Sequence, residues 1–242
     1  MRISAIIPVR NGEAYIRDAI RSIEAQPIKV AEIHVVNDRS TDGTQSILED
    51  LALRIPALRL HEGPARGPGA ARNVGLKAAS GNVIAFLDSD DLWPPDKLER
   101  QLVRLAASPQ VAMVSGFVTY FDKQDEIALA PAQDSRINDL FHVHLGASVY
   151  RREVFDMVGI FDEAFLYSED VDLMLRIREA KIPITILRDI TLFYRRHSAS
   201  MTSTLTMREK QDFNRALMNS LRRRKATGEV EPLAPFRSLV GV

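Results

Sequence analysis

"VIAFLDSDD" (residues 83–91) joins two opposed kinds of chemistry. The unbroken apolar run from Val83 to Leu87 suits a strand buried on both faces. Asp88, Asp90 and Asp91 follow at once, and carboxylates packed this closely raise one another's cost of ionisation. A buried strand that ends in concentrated negative charge raises the question of what its end faces.

Three earlier stretches read as strands of the same kind: "ISAIIPV" (3–9), "EIHVVN" (32–37) and "LRLHE" (58–62). Helical periods separate them. Ile16, Ala19, Ile20 and Ile23 recur at i, i+3, i+4, i+7, with Asn11 expected as the N-cap. Ser40 is expected to cap a helix carrying Ile47, Leu48 and Leu51, and Ala71, Val74, Gly75 and Ala78 line a third. Strand–helix alternation with continuous apolar strands implies an α/β fold with a mostly parallel sheet covered on both faces. Ligands of such sheets bind beyond the carboxyl ends of the strands. The loops "PVRNGE", "NDRSTDG" and "DSDD" are therefore expected to converge on one site.

The second half is less regular. Leu98, Leu102 and Leu105 follow Pro94-Pro95 as a helix, and 111–121 reads as a strand. Residues 122–138 read as a loop. A helix is expected over 169–181 with Val171, Met174 and Leu175 on one side, and a strand over 190–197. Phe213, Leu217 and Leu221 at i, i+4, i+8 make a last amphipathic helix running into "RRRK"; the final fifteen or so residues have no period and are expected to be mobile. The expected organisation is one domain over 1–202, with a nucleotide-side half (1–91) and an acceptor and base half (92–202), then a C-terminal helix and tail (203–242).

The 32 basic residues balance 32 acidic ones, so nucleic acid is not an expected partner. There is no cysteine, which excludes disulfides and thiolate metal sites. No apolar stretch approaches the roughly 18–20 residues that span a bilayer, and Pro8 and Arg10 interrupt the N-terminus too early for a signal peptide. A cytoplasmic location is expected, or a peripheral one at the inner membrane face through "LRRRK"; favourable charge at a helix C-terminus explains that run equally simply.

Each polar motif has an ordinary reading and a functional one. The Asp88–Asp91 cluster is either a solvated turn or a site for a hard divalent cation, Mg²⁺ or Mn²⁺, which takes carboxylate oxygens. Asp38, directly after a buried strand, either belongs to a well-capped connection or accepts hydrogen bonds from a ribose or a base edge. In "PARGPGAARN" (64–73), Arg66 and Arg72 beside Gly67 and Gly69 are either surface cations or phosphate ligands. Glu169 and Asp170 either favour a helix dipole or supply a general base. His197 is either a structural histidine or a metal ligand.

In their order and spacing, "IIPVRNGEAYIRDAIRSI", "EIHVVNDRSTDGT", "GPGAARNVGLKAASGNVIAFLDSDD", "VGIFDEAFLYSEDVDLMLRI" and "RRHSASMT" resemble the inverting GT-A glycosyltransferases of family 2, over roughly residues 3–202. The resemblance implies a GT-A fold with a Rossmann-like nucleotide-binding sheet. It places Pro8 and Glu13 at the edge of the nucleotide pocket, Asp38 on a uracil-type base, Arg72 near the base or diphosphate and Asp88 on the ribose. It puts Asp90 on a divalent metal, joined by His197, and makes the Glu169-Asp170 pair catalytic with Asp170 as base. The implied donor is a nucleoside-diphosphate sugar of the UDP class; the acceptor is a glycan, a lipid-linked species or a small molecule. Asn37 stands where many members carry a second acid. The Gln-x-x-Arg-Trp signature of processive synthases is absent, since the sole tryptophan is Trp93; transfer of a single sugar is expected. A sugar nucleotidyltransferase, which would want a Gly-rich loop after the first strand, and a non-catalytic nucleotide-sugar-binding module are the alternatives.

Overall fold

The computed structural model describes residues 1–135, 138–140 (backbone only), 144–198, 207–228, 232–233 and 240. The "ASMT" end of the last family-like segment (199–202), His142 and most of the tail lie outside the described residues. The elements in chain order are β1 (Ile3–Val9), α1 (Ile16–Glu24), β2 (Glu32–Asn37), α2 (Thr44–Arg54), β3 (Leu58–Glu62), α3 (Pro68–Ala78) and β4 (Val83–Phe86). Then come α4 (Lys97–Ala107), β5 (Met113–Phe121), β6 (Gln124–Asp125), β7 (Ala130–Pro131), β8 (Asn138–Leu140), β9 (Val149–Arg151), α5 (Glu153–Val158), α6 (Glu169–Glu179), β10 (Ile184–Arg195) and α7 (Met207–Ala226).

The main sheet runs β10-β5-β9-β4-β1-β2-β3, with β8 pairing β5. β1 pairs in parallel with both β2 and β4, β2 with β3, and β5 with β10. β9 is antiparallel to β4 and β5 and joins the two halves of the sheet. That strand was not read from the sequence, because three residues carry too little periodicity. The chain builds outward from β1 through β2 to β3, then returns to the other side of β1 as β4. The carboxyl ends of β1 and β4 therefore frame the switch point, where such sheets leave a crevice.

Alternation along the strands sends side chains to two cores. Ile3, Ala5, Ile7 and Val9 pack with Ile16, Ile20 and Ile23 of α1, Leu48 of α2 and Leu98, Leu102 and Leu105 of α4. Ile6, Ile84 and Phe86 pack on the other face with Leu76 of α3, Phe155 of α5 and Leu173 and Ile177 of α6. Burying each valine, leucine, isoleucine or phenylalanine among them contributes about 1.5–3 kcal/mol. At Gly75, an added Cβ would stand 2.6 Å from Ile6 Cγ2, so glycine lets α3 lie close on the sheet.

Several local expectations are corrected. Neither Asn11 nor Ser40 caps its helix by side chain: the N-caps are Tyr15 and Gly43. Asn11, at φ +54°, instead holds the loop after β1 to the loop after β2. On α3, Leu76 is buried and Ala78 exposed, and on α6, Leu173, Met174 and Ile177 face inward rather than Val171 and Leu175. The segment 122–135 contains the small hairpin β6–β7. α7 turns Asp212, Ala216 and Ser220 inward, and leaves Phe213, Leu217 and Leu221 exposed.

At the amino ends of the strands, Glu32 joins three segments. Its carboxylate accepts from Ser4 Oγ (2.5 Å), Ser80 N (2.5 Å) and Gly81 N (3.2 Å), and lies 3.4 Å from His34 Nε2. Burial opposes its charge, but the hydrogen bonds from Ser4 and Ser80 outweigh it and hold the carboxyl down at about 2. A carboxyl depressed from 4.5 stabilises the fold fully above pH 4.5, and that contribution fades as pH falls toward 2. Glu32→Gln should cost about 1–3 kcal/mol at pH 7, and the difference from the parent should shrink by pH 3. Urea denaturation at the two pH values checks this; a pH-independent difference would contradict it.

Candidate active site

The loop ends of β1, β2 and β4 are tied into one rim. Asn11 N–H donates to Ser40 Oγ (2.9 Å), Gly12 N–H to Thr44 Oγ1 (2.8 Å) and Glu13 N–H to Asp42 Oδ2 (3.1 Å). Glu13 returns the link, accepting Gly43 N–H at 2.6 Å. The absent Cβ of Gly12 would stand 3.5 Å from Ser89 Oγ, which brings the acidic turn against the first loop. Pro8 lies buried within β1 opposite Val36. Asp38 is buried, and its two oxygens accept Ala65 N–H (2.6 Å) and Gly67 N–H (3.1 Å). Its carboxylate thus shapes the 63–67 loop, and a base edge would have to share it. Arg66 is largely exposed and pairs with Glu163 at 2.7 Å.

Arg72, which the family resemblance sets near the base or diphosphate, is buried. From the second turn of α3 its buried guanidinium donates through Nη2 to Asp88 Oδ1 (2.6 Å) and through Nη1 to Glu169 Oε1 (2.5 Å). One cation therefore bridges the end of β4 and the start of α6. Asn73 adds a second link, exchanging hydrogen bonds with the Phe161 backbone and donating to Glu163. Burial disfavours the Arg72 charge, but Asp88 and Glu169 more than restore it and push the guanidinium further up. Burial also opposes the Asp88 charge, and Arg72 and His144 draw that carboxyl down. Glu169 goes the other way, to about 7: burial and the neighbouring Asp170 outweigh Arg72. The physical reason is charge balance, since a single guanidinium cannot neutralise Asp88, Glu169 and Asp170 together. Asp170 is half-buried, and its Oδ1 accepts the Val171 N–H at 2.7 Å.

Asp90 and His197 meet. His197 Nε2 lies 2.9 Å from Asp90 Oδ2, and its ring packs on Tyr15 at 4.7 Å between centroids. Asp91 does not cap a helix. It is buried, its Oδ1 accepts Arg195 N–H (2.9 Å), and its Oδ2 has no partner among the described residues. Arg195 also donates through Nε to the Asp90 carbonyl (2.8 Å), and Leu92 bridges Phe193. The acidic turn is thereby stapled to the end of β10, which sets His197 beside Asp90. Burial, then Asp90 and Asp88, push the Asp91 carboxyl well up.

These groups suit a hard cation. Two ligands at right angles on an ion, each at about 2.1 Å, stand about 3 Å apart, as Asp90 Oδ2 and His197 Nε2 do. Asp88, Asp91 and His144 also offer ligand atoms within 4.8 Å of one another. His144 is the weaker ligand as arranged. Its Nδ1 accepts Gly146 N–H (3.1 Å), so the neutral ring carries its proton on Nε2, 3.8 Å from Asp88. The unpartnered Asp91 Oδ2 is the atom a cation would satisfy.

The site thus brings together two groups of the expected residues, Arg72–Asp88–Glu169 and Asp90–His197, while Glu13, Asp38 and Arg66 serve the rim. Asp212 and Arg195 were not foreseen. Asp212 Oδ2 accepts the N–H groups of Leu166 and Tyr167, which hold the turn before Glu169. An acid on a basic-rich helix gives no sequence signal of that role.

Residues 4–162 match the family model described as glycosyl transferase family 2. An uncharacterized glycosyltransferase of Rickettsia typhi is 31% identical over 84% of this chain and 66% of its own length. The uncharacterized glycosyltransferase EpsJ of Bacillus subtilis is 31% identical over 83% of this chain and 62% of its own. The chain thus spans slightly under two thirds of these relatives. Among solved structures, S. aureus TarS in complex with UDP-GlcNAc superposes with a TM-score of 0.73 at 21% identity, over 91% of this chain and 67% of its own. The mannosyltransferase PcManGT from Pyrobaculum calidifontis, in complex with GDP-Man and Mn²⁺, gives 0.63 at 21% identity, over 98% and 67%. These likenesses establish the GT-A type of fold.

Removing the cation of a buried cluster leaves its carboxylates unpaired, at about 3–5 kcal/mol. Arg72→Met should lose that much stability in denaturant unfolding, and adding Glu169→Gln should recover part of it. A loss under about 1 kcal/mol would show that Arg72 does not carry the bridge.

Proposed function

The chain belongs to glycosyl transferase family 2, and on that premise we propose that it transfers a single sugar from a nucleoside-diphosphate sugar to an acceptor hydroxyl with inversion. The observation that carries the reading is the Arg72 bridge: it holds Glu169, and with it the neighbouring Asp170, against the strand end that bears Asp88 and Asp90. A donor lying over the ends of β1 and β4 would have Asp90 and His197 on its diphosphate side and Asp170 on its acceptor side. UDP-sugars are the favoured donor class, in keeping with the UDP-GlcNAc held by TarS; the GDP-Man of PcManGT makes guanosine the competitor to test.

The chemistry is a displacement at the anomeric carbon. The acceptor oxygen forms the new glycosidic bond, the bond to the diphosphate breaks, and Asp170 takes the acceptor's proton. Direct attack by the acceptor, assisted by a single base on its side, accounts for inversion. Asp90 and His197 would hold a divalent cation, with the Asp91 oxygen at hand; when bound it would neutralise charge gathering on the leaving diphosphate. Asp88 orients the ribose, and Arg72 keeps Asp88 charged while holding Glu169 in place. The rim of Asn11, Glu13 and Asp42 fixes the donor-side loops, so that donor and acceptor stay in line.

Asp170→Asn should keep donor binding and lower transfer by about 10²–10⁴; unchanged turnover with a donor panel would remove Asp170 from the role. Mn²⁺ should raise the melting temperature further when a nucleoside diphosphate is present, UDP more than GDP. Asp90→Ala and His197→Ala should each abolish the Mn²⁺-dependent increment. An increment that survives both variants would assign the cation to other residues.

A further inference from the structure

α7 is the one long helix whose large apolar side chains mostly face solvent among the described residues. Phe213 is 45% exposed, Leu217 38%, Met218 49% and Leu221 41%. Its inward stripe is instead small and polar: Asp212, Ala216 and Ser220 are buried toward α6, and Asp212 carries the backbone of Leu166 and Tyr167. Phe213, Leu217 and Leu221 repeat every four residues and so form one continuous, part-exposed stripe beside the buried one, which Met218 extends toward the outer side.

Charge is sorted in the same way. The helix holds seven basic residues and two acidic ones, in a chain that is neutral overall. Both acids lie off the outer face: Asp212 is buried and Glu209 is half-buried. Lys210, Arg222 and Lys225 are exposed, and Lys225 stands one turn beyond Leu221. Arg222 and Lys225 have no carboxylate partner among the described residues. In the tail, Val240 bridges Ile186 on the sheet. An apolar stripe flanked by cations and free of acids is complementary to a surface that is apolar within and anionic at its boundary.

We propose that the outer face of α7 lies on an anionic lipid surface, with Phe213, Leu217 and Leu221 in the acyl boundary and Lys210, Arg222 and Lys225 on the headgroups. The inward face of the same helix holds the turn before Glu169 and Asp170, so docking would set that end of the site close to the membrane. The surface stands apart from the transfer reaction, and neither assignment depends on the other.

The test is co-sedimentation of the chain with vesicles of phosphatidylglycerol and phosphatidylcholine in equal parts, against vesicles of phosphatidylcholine alone. Each exposed basic residue adds roughly fivefold to affinity for an anionic surface. Binding should therefore require phosphatidylglycerol and weaken as salt is raised. Leu217→Gln/Leu221→Gln and Arg222→Gln/Lys225→Gln should each lower partitioning more than tenfold, with the melting temperature and the nucleoside-diphosphate thermal shift unchanged. Absence of binding at low salt would overturn the proposal, as would binding that both double variants retain. A dimer in light scattering that either variant converts to monomer would assign the face to a second copy of the chain instead.

Discussion

Arg72 is a single positive charge set among carboxylates that would otherwise repel. Its two terminal nitrogens reach Asp88 at the end of β4 and Glu169 at the start of α6, at 2.6 and 2.5 Å. A guanidinium suits this place because its planar fork serves two acceptors in fixed directions and keeps its charge when buried. Without it, two faces of the same cleft would carry uncompensated charge in a poorly solvated interior. The helix bearing Asp170 would then lose its hold on the strand that ends in the acidic turn.

The remaining negative charge is distributed by the same accounting. Asp88 is satisfied by Arg72, and Glu169 is pushed up to about 7 because that one cation is shared. Asp91, buried with one oxygen on Arg195 N–H and the other unpartnered, cannot easily hold a charge without a cation beside it. The acid-rich end of β4 is therefore incomplete by itself. Its incompleteness lies at the β1–β4 switch point, where a doubly covered sheet leaves space for a ligand. At the other end of the strands the buried carboxylate is fully met, since Glu32 gathers Ser4, Ser80 and Gly81.

Much of the fold was legible because its periods are strong. The strands 3–9, 32–37 and 58–62 match the observed boundaries, and the fourth ends one residue earlier than read. The helices lost their expected caps for a common reason: Asn11 and Ser40 bond to each other's loops rather than to their own helices. β9 escaped notice because its place is given by its partners, β4 and β5, and not by its own three residues. On α7 the stripe of Phe213, Leu217 and Leu221 reads as a core face, but the inward positions are taken by Ala216 and Ser220. A hydrophobic period shows that a helix has two faces; it does not say which one the protein covers.

By itself the sequence determined the class of fold, the position of the acidic turn at a strand end and the residue types gathered there, since these follow from local periodicity and chain order. Only the tertiary structure decided how the charges pair. Arg72 and Glu169 are 97 positions apart, and Asp90 and His197 are 107. Separations of that size leave no local pattern, so whether a cation faces a substrate or a neighbouring carboxylate depends on how α3, β4, α6 and β10 pack together.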